Sequence, residues 1–399
     1  MGLNDTASAE RIHIAFFGMR NAGKSSLVNA VTGQQLSVVS DVKGTTTDPV
    51  RKAMELLPLG PVVIIDTPGL DDEGDLGELR IQKAKEILNK VDIAVLVVDA
   101  TCGLRETDTG LLQIFRDKEL PHLVAYNKAD LLTERPALPA DSLYVSATAG
   151  EGIHELKEAL GAFANANKKT KLLVSDLLEP KDFVVLVTPI DESAPKGRLI
   201  LPQQLTLRDI LDAHAVAITC QDTELSTTLS GLSQKPKMVI TDSQAFARVA
   251  AATPENIPLT SFSILMARYK GDLKELVYGA SVLSSLKDGD KVLISEGCTH
   301  HRQCNDIGTV KMPGWIEAFC GAKPEFSFTS GGEFPEDLSK YAAIVHCGGC
   351  MLNDTEMAHR IQQAVSAGVP IVNYGIAIAQ MHGILKRSVQ LFPDISALL

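Results

Sequence analysis

No apolar run in the chain is long enough to span a bilayer, so no transmembrane helix and no membrane partner are expected. The first residues, MGLNDTASAERIHIAFFG, lack the basic start and long apolar stretch of a secretory signal, and the cytoplasm is the expected compartment. No segment is low in complexity or poor enough in apolar residues to stay disordered. Basic residues are in deficit: 38 Lys and Arg against 49 Asp and Glu give a formal net charge of −11. Such a surface repels phosphate backbones, and no basic stretch interleaved with aromatics offsets it, so nucleic acid is not an expected partner. The seven cysteines are an odd count that closes no set of disulfides. Without an export signal, reduced thiols and metal binding are favoured. What is present is an ordinary globular composition, 45% hydrophobic and 22% charged, over 399 residues. That length suggests roughly two or three domains.

The segment Arg11 to Phe17 reads as an apolar strand and runs directly into GMRNAGKSS. Gly18, Gly23, Lys24 and Ser25 stand at the spacing of a phosphate-binding loop, with Asn21, Ala22 and Ser26 completing it. Its backbone N–H groups and the helix start are expected to cradle phosphates, Lys24 to reach the outer ones, and Ser25 to ligate magnesium. A second apolar strand ends in Asp66-Thr-Pro-Gly69, which places a carboxylate on the magnesium side and a mobile glycine beside the γ-phosphate. A third ends in Asn127-Lys128-Ala-Asp130, where Asp130 can accept both the N1–H and the exocyclic amine of guanine. A fourth leads to Ser146-Ala147, whose amides can read the guanine O6. Between the first two motifs, Thr45, Thr46 and Thr47 are available as the switch threonine that closes on magnesium, with Thr46 taken first. The order and placement of these motifs predict a P-loop fold that binds GTP and GDP with magnesium and hydrolyses GTP.

The wording N-A-G-K-S-S-L-x-N, G-T-T-T-D, D-T-P-G and N-K-x-D resembles the GTPase subfamily of Era and the tRNA-modification protein TrmE, over roughly residues 10–165. Leu70 follows Gly69 where Ras-like proteins carry a water-orienting glutamine, so hydrolysis must use another group. The resemblance implies that Asn21 helps hold a potassium ion as a charge stabiliser, and that Glu78 assists from the second switch. The alternative for Glu78 is a solvated carboxylate at a helix start.

After the polar connector AFANANKKTKLL the pattern restarts with DFVVLVTPI, AVAITC, KMVITDS and PLTSFSI as short β-branched runs separated by helix-like stretches. This predicts a second parallel α/β unit with no visible chemistry, read as a dimerisation module, in which Cys220 is a small core residue. From about residue 270, DKVLISEG, PEFSFTSGG, YAAIVHCGG and VPIVNYG read as further strands. NDTEMAHRIQQAVSAG is a helix with an apolar stripe at Met357, Ile361 and Val365.

Beyond two of these strand ends lie Cys298, His300, His301 and Cys304, and then His346, Cys347 and Cys350. Thiolates select zinc or iron–sulfur centres, and the obvious ligands here are Cys298, Cys347 and Cys350. A cluster on those three leaves one iron with an exchangeable position. His300, His346, Asp306 or a small molecule could occupy it; each histidine could equally donate a hydrogen bond to the cluster sulfides. Cys304 and Cys320 are taken as non-ligands.

A TrmE/Era-like GTPase segment joined to C-x-H…H-C-G-G-C-M resembles the HydF family, the GTPase maturation factors of iron-only (FeFe) hydrogenase, over essentially the whole chain. The resemblance implies three parallel-sheet α/β domains: GTPase (1–168), dimerisation (169–268) and 4Fe–4S cluster binding (269–399). It also implies a homodimeric scaffold that receives a di-iron subcluster from radical-SAM maturases and delivers it to the apo-hydrogenase. The competing expectation is a ribosome- or tRNA-associated GTPase with a structural zinc domain.

Overall fold

The computed structural model describes residues 8–35, 49–69, 84, 86–166, 172–190, 199–297 and 307–399. Thr45, Thr46, Thr47, Leu70, Glu78, Cys298, His300, His301, Cys304 and Asp306 lie outside the described residues. The chain divides into two compact units, Met1–Lys169 and Thr170–Leu399.

In the first unit the elements are β1 (Ile12–Phe17), α1 (Lys24–Thr32), β2 (Val50–Leu56), β3 (Gly60–Asp66), β4 (Ile93–Asp99), α2 (Glu106–Asp117), β5 (His122–Asn127), β6 (Ser142–Tyr144) and α3 (Ile153–Ala166). They build a six-stranded sheet in the order β2-β3-β1-β4-β5-β6. Helices cover both faces, so the central strands read as unbroken apolar runs; Ile93 to Val98 of β4 are all buried. Along β1 the side chains divide by alternation. Ile14 and Phe16 join the core under α1 and α3, and Ala15 and Phe17 the core under α2. One strand departs from the all-parallel expectation: β2 pairs antiparallel with β3. The short turn at 57–59 leaves no room for the crossover that parallel pairing needs.

The second unit contains β7 (Phe183–Val187), α4 (Leu201–Asp212), β8 (Val216–Cys220), α5 (Leu225–Gly231), β9 (Met238–Thr241), α6 (Phe246–Ala252), β10 (Leu259–Ser261), α7 (Phe262–Lys270), α8 (Leu273–Ser281), β11 (Lys291–Glu296), α9 (Met312–Cys320), β12 (Glu325–Ser330), β13 (Ala343–His346), α10 (Asp354–Ser366), β14 (Ile371–Asn373) and α11 (Tyr374–Met381). Two four-stranded parallel sheets result, β10-β9-β7-β8 and β12-β11-β13-β14. A single hydrophobic cluster runs through both, with Ile264, Leu265 and Met266 of α7 and Leu276 and Val277 of α8 within it.

Two local readings change. The run PLTSFSI is a strand only to Ser261, whose hydroxyl accepts from Ile264 N at 3.2 Å and so caps α7. In α10 the buried stripe is Met357, Ile361 and Ala364, while Val365 is 41% exposed. At 3.6 residues per turn, position i+8 has rotated about 80° off the stripe, whereas i+7 is within about 20° of it. Arg360 lies on that buried side and is 1% exposed.

Candidate functional sites

The nucleotide-binding motifs gather past the carboxyl ends of β1, β3, β5 and β6. Gly18, Asn21 and Ala22 form the loop between β1 and α1, and Lys24, Ser25 and Ser26 form the first turn of α1. Lys24 is 7% exposed and curls back so that Nζ donates to the carbonyls of Gly18 and Met19, each at 2.9 Å. The Ser25 hydroxyl donates to Asp66 Oδ2 at 2.7 Å. Asp66 is 5% exposed, and its Oδ1 has no hydrogen-bond partner among the described residues. A buried carboxylate oxygen without a partner, next to a serine hydroxyl, is a donor set that fits magnesium. Gly69 lies against the phosphate loop, where a Cβ would stand 2.9 Å from Arg20 Cα.

Asn127 ties the motifs together. Its Nδ2 donates to Ala22 O at 3.0 Å and Gly23 O at 3.4 Å, and its Oδ1 accepts from Ala147 N at 3.0 Å. Gly23, at φ 86°, is required for this approach, because a Cβ there would be 2.2 Å from Asn127 Nδ2. Ser146 is fully buried, with its hydroxyl accepting from Ala149 N at 3.0 Å. Asp130 stays exposed, open to a base.

Two supports carry no motif of their own. Asp99, at the end of β4, accepts from Lys128 Nζ at 2.5 Å. Burial pushes its carboxyl up, but the hydrogen bonds from Lys128 and Thr101 outweigh this and hold it below its ordinary value. Arg135 pairs with Glu151, donates to Ala129 O at 3.2 Å and lies 5.8 Å from the Tyr144 ring centroid, which latches the loop after β5 to the loop after β6.

The second site lies past the carboxyl end of β13. The strand registers place Thr329, Ser295, His346 and Asn373 in one row, on one face of the sheet. Arg360 enters that row from α10: Nη1 donates to His346 Nε2 at 3.0 Å, and Nη2 donates to Glu356 Oε1 at 2.7 Å and Gly331 O at 2.8 Å. An arginine is only a donor, so His346 Nε2 is the acceptor and its Nδ1–H donates to Cys347 O at 2.7 Å. Burial, with the Arg360 charge beside it, pushes the imidazole down to about 3, so it is neutral. Both ring nitrogens of His346 are therefore engaged.

Cys347 follows on the opposite face. Its sulfur accepts from Gly297 N at 3.0 Å and Gly349 N at 3.4 Å. Gly349, at φ 62°, is where any other residue would be strained and its Cβ would displace Met357 Sδ, 2.9 Å away, whereas Gly348 borders open space. Burial pushes the Cys350 thiol up, and the Lys270 charge acts against this. Lys270, in the last turn of α7, is 4% exposed, and its Nζ donates to Leu352 O at 2.9 Å. A soft sulfur at Cys347 with two backbone N–H donors, and a second at Cys350 on which the buried Lys270 charge acts, are a donor set that fits an anionic iron–sulfur group. Among the described residues, no set of three or more His, Cys, Asp or Glu is grouped to hold a metal ion. Cys220 is half-buried with its thiol pushed up by burial, and Cys320 donates weakly to Glu317 O and Ala322 O.

Residues 173–271 match the model of the hydrogen maturase F dimerization domain, and residues 274–391 that of the hydrogen maturase F tetramerization domain. The chain belongs to the hydrogen maturase F family. Both of its matched domains are described as oligomerisation domains, and residues 13–128 match a model described as 50S ribosome-binding GTPase. The first unit of this hydrogen maturase F chain is thus a GTP-binding GTPase domain. The tRNA modification GTPase MnmE of Nitrosomonas europaea is 36% identical over 156 residues, covering 38% of this chain and 34% of that protein. MnmE of Desulforamulus reducens is 37% identical over 123 residues, covering 31% and 26%. The chain spans about a third of the length of the curated relatives it matches. A crystal structure of a probable GTP-binding protein, engB, is 23% identical at a TM-score of 0.32, covering 39% of this chain and 100% of that one, a score too low for inference. No described helix is long and apolar enough to cross a membrane.

Proposed function

We propose that this hydrogen maturase F chain is a GTP-hydrolysing scaffold that holds a 4Fe–4S cluster with one exchangeable iron. In this reading it takes part in assembling and delivering the di-iron subcluster of FeFe-hydrogenase. The observation that carries it is the Cys347 turn, a sulfur receiving two N–H donors at a strand end within the stretch that matches a maturase model. Cys347, Cys350 and Cys298 are the proposed cluster ligands. When bound, the cluster supplies an iron centre with one replaceable position. His346, engaged at both nitrogens, fits the hydrogen-bonding role better than ligation. His300 remains the histidine proposed for the open position.

On the nucleotide side, Lys24 would hold the outer phosphates, Ser25, Asp66 and Thr46 the magnesium, and Asp130 the guanine edge. Asn21, at φ 62°, is the proposed potassium-holding residue, with Glu78 assisting from the second switch. Hydrolysis is then faster in potassium than in sodium, and equal rates would remove Asn21 from the mechanism. We assign 1–168 to GTPase action, 169–268 to dimerisation and 269–399 to the cluster. The outer edge of β8 has no strand against it among the described residues and exposes Val216, which suits pairing with a second copy. The apo-hydrogenase and radical-SAM maturases are the proposed partners.

The deciding experiment is purification without oxygen, supply of iron and sulfide, then visible absorption, EPR and metal content. A brown protein with about four irons per chain supports the reading. A colourless protein holding stoichiometric zinc refutes it and favours a GTPase with a structural zinc site.

A further inference from the structure

The turn that carries Cys347 and Cys350 is anchored at both ends by buried cations. At its start, Arg360 donates to His346 Nε2 at 3.0 Å, and His346 in turn holds the Cys347 carbonyl at 2.7 Å. At its end, Lys270 donates to the Leu352 carbonyl at 2.9 Å. The two cations are 1% and 4% exposed. Arg360 occupies the apolar side of α10, with its guanidinium 5.1 Å from the Phe334 ring centroid, and Lys270 occupies the buried end of α7 beside Ala267 and Met266. A buried cation is costly unless its charge is answered nearby. Arg360 has Glu356 at 2.7 Å and reaches the turn through His346, while the Lys270 charge acts on the Cys350 thiol.

We propose that Arg360 and Lys270 are positioning residues of the thiolate site: two fixed positive charges that hold the 346–352 turn in shape and offset the negative charge of its sulfur ligands. The inference rests on the cluster reading above. Three thiolates and four sulfides outweigh the charge of the irons, and reduction adds one electron more. Charge and hydrogen bonding around the sulfurs therefore govern how easily such a site is reduced. The arrangement also draws on two regions. Lys270 comes from the stretch matching the dimerization model, and the cysteine turn from the stretch matching the tetramerization model. A partner that shifts α7 would thus move a charge at the iron site.

The test uses the full chain reconstituted with iron and sulfide, and reads midpoint potential by EPR-monitored titration together with g-values. Lys270→Gln and Arg360→Met are expected to shift the potential to more negative values. Lys270→Arg is expected to stay near wild type. Glu356→Gln, which leaves the guanidinium without its counter-ion, is expected to shift it to more positive values. A merely structural role would lower thermal stability without this reversal of sign. Should Arg360→Met fail to fold, Lys270→Gln and Glu356→Gln still decide the sign. Loaded variants with unmoved potentials and g-values overturn the proposal and leave the cluster reading standing. A wild-type chain that takes up no cluster overturns the cluster reading itself.

Discussion

Two crevices in this chain lie past the carboxyl ends of parallel strands, and they are lined with opposite chemistry. At the first, Ser25, Asp66 and the loop amides present oxygens and N–H groups, with Lys24 folded over the loop. At the second, Cys347 and Cys350 present sulfur, with Arg360 and Lys270 behind them. Hard cations and phosphates suit the oxygens and N–H groups of the one, and thiophilic metals the soft sulfurs of the other. The difference extends to how each is held. The phosphate loop is shaped largely by its own backbone and by Asn127, whereas the cysteine turn depends on charges brought by two helices.

The comparison is tested most severely at Lys24. Lys24→Ala should lower GTP turnover by about a hundredfold or more, measured as phosphate release, while iron content stays unchanged. Loss of iron in that variant would mean that the two crevices are not independent. Cys347→Ser or Cys350→Ser should remove most of the iron and leave phosphate release largely as it was; retained iron would move the site elsewhere. Asp130→Asn should weaken GTP binding by about two orders of magnitude. GTP should also lose its advantage over xanthosine triphosphate, whose C2 oxygen accepts where guanine donates.

Smaller effects probe the scaffolds. Arg268 donates to both carboxylate oxygens of Asp176, at 2.8 and 2.6 Å, and stacks 5.0 Å from the Phe392 ring centroid. Arg268→Ala should cost the second unit about 1 kcal/mol in denaturant unfolding. The Arg268 hydrogen bonds hold the Asp176 carboxyl below its ordinary value. The unfolded chain therefore binds the proton first, so this stabilisation is complete above about pH 4 and is lost as the pH falls through the folded value. Asp176→Asn should flatten that part of the acid profile. Arg135→Ala is the mildest change: its latch is exposed, so GDP release should quicken by a factor of about three at most.

Legibility followed the same division. Gly18 to Ser26, Asp66, Asn127 to Asp130 and Ser146-Ala147 could be placed from the chain alone, because each is a short motif at a strand end. Cysteine spacing likewise marked 347–350. The bracing was not readable. Asn127 reaches Ala22 across 105 positions, and Lys270 reaches Leu352 across 82. Such pairs leave no periodic trace. Arg360 was hidden for another reason: a charge between Met357 and Ile361 breaks the apolar pattern that would mark it as buried.

By itself the sequence determined that parallel α/β units exist, where the nucleotide loop lies and which residues carry sulfur. These follow from alternation, glycine placement and side-chain chemistry acting over a few neighbouring residues. Only the tertiary structure decided that β2 runs antiparallel, that His346 spends both nitrogens on Arg360 and Cys347, and that a lysine from α7 stands behind the cysteine turn. Those outcomes depend on which strands lie side by side and which helix packs over them, and distant segments settle that together as they bury a common core.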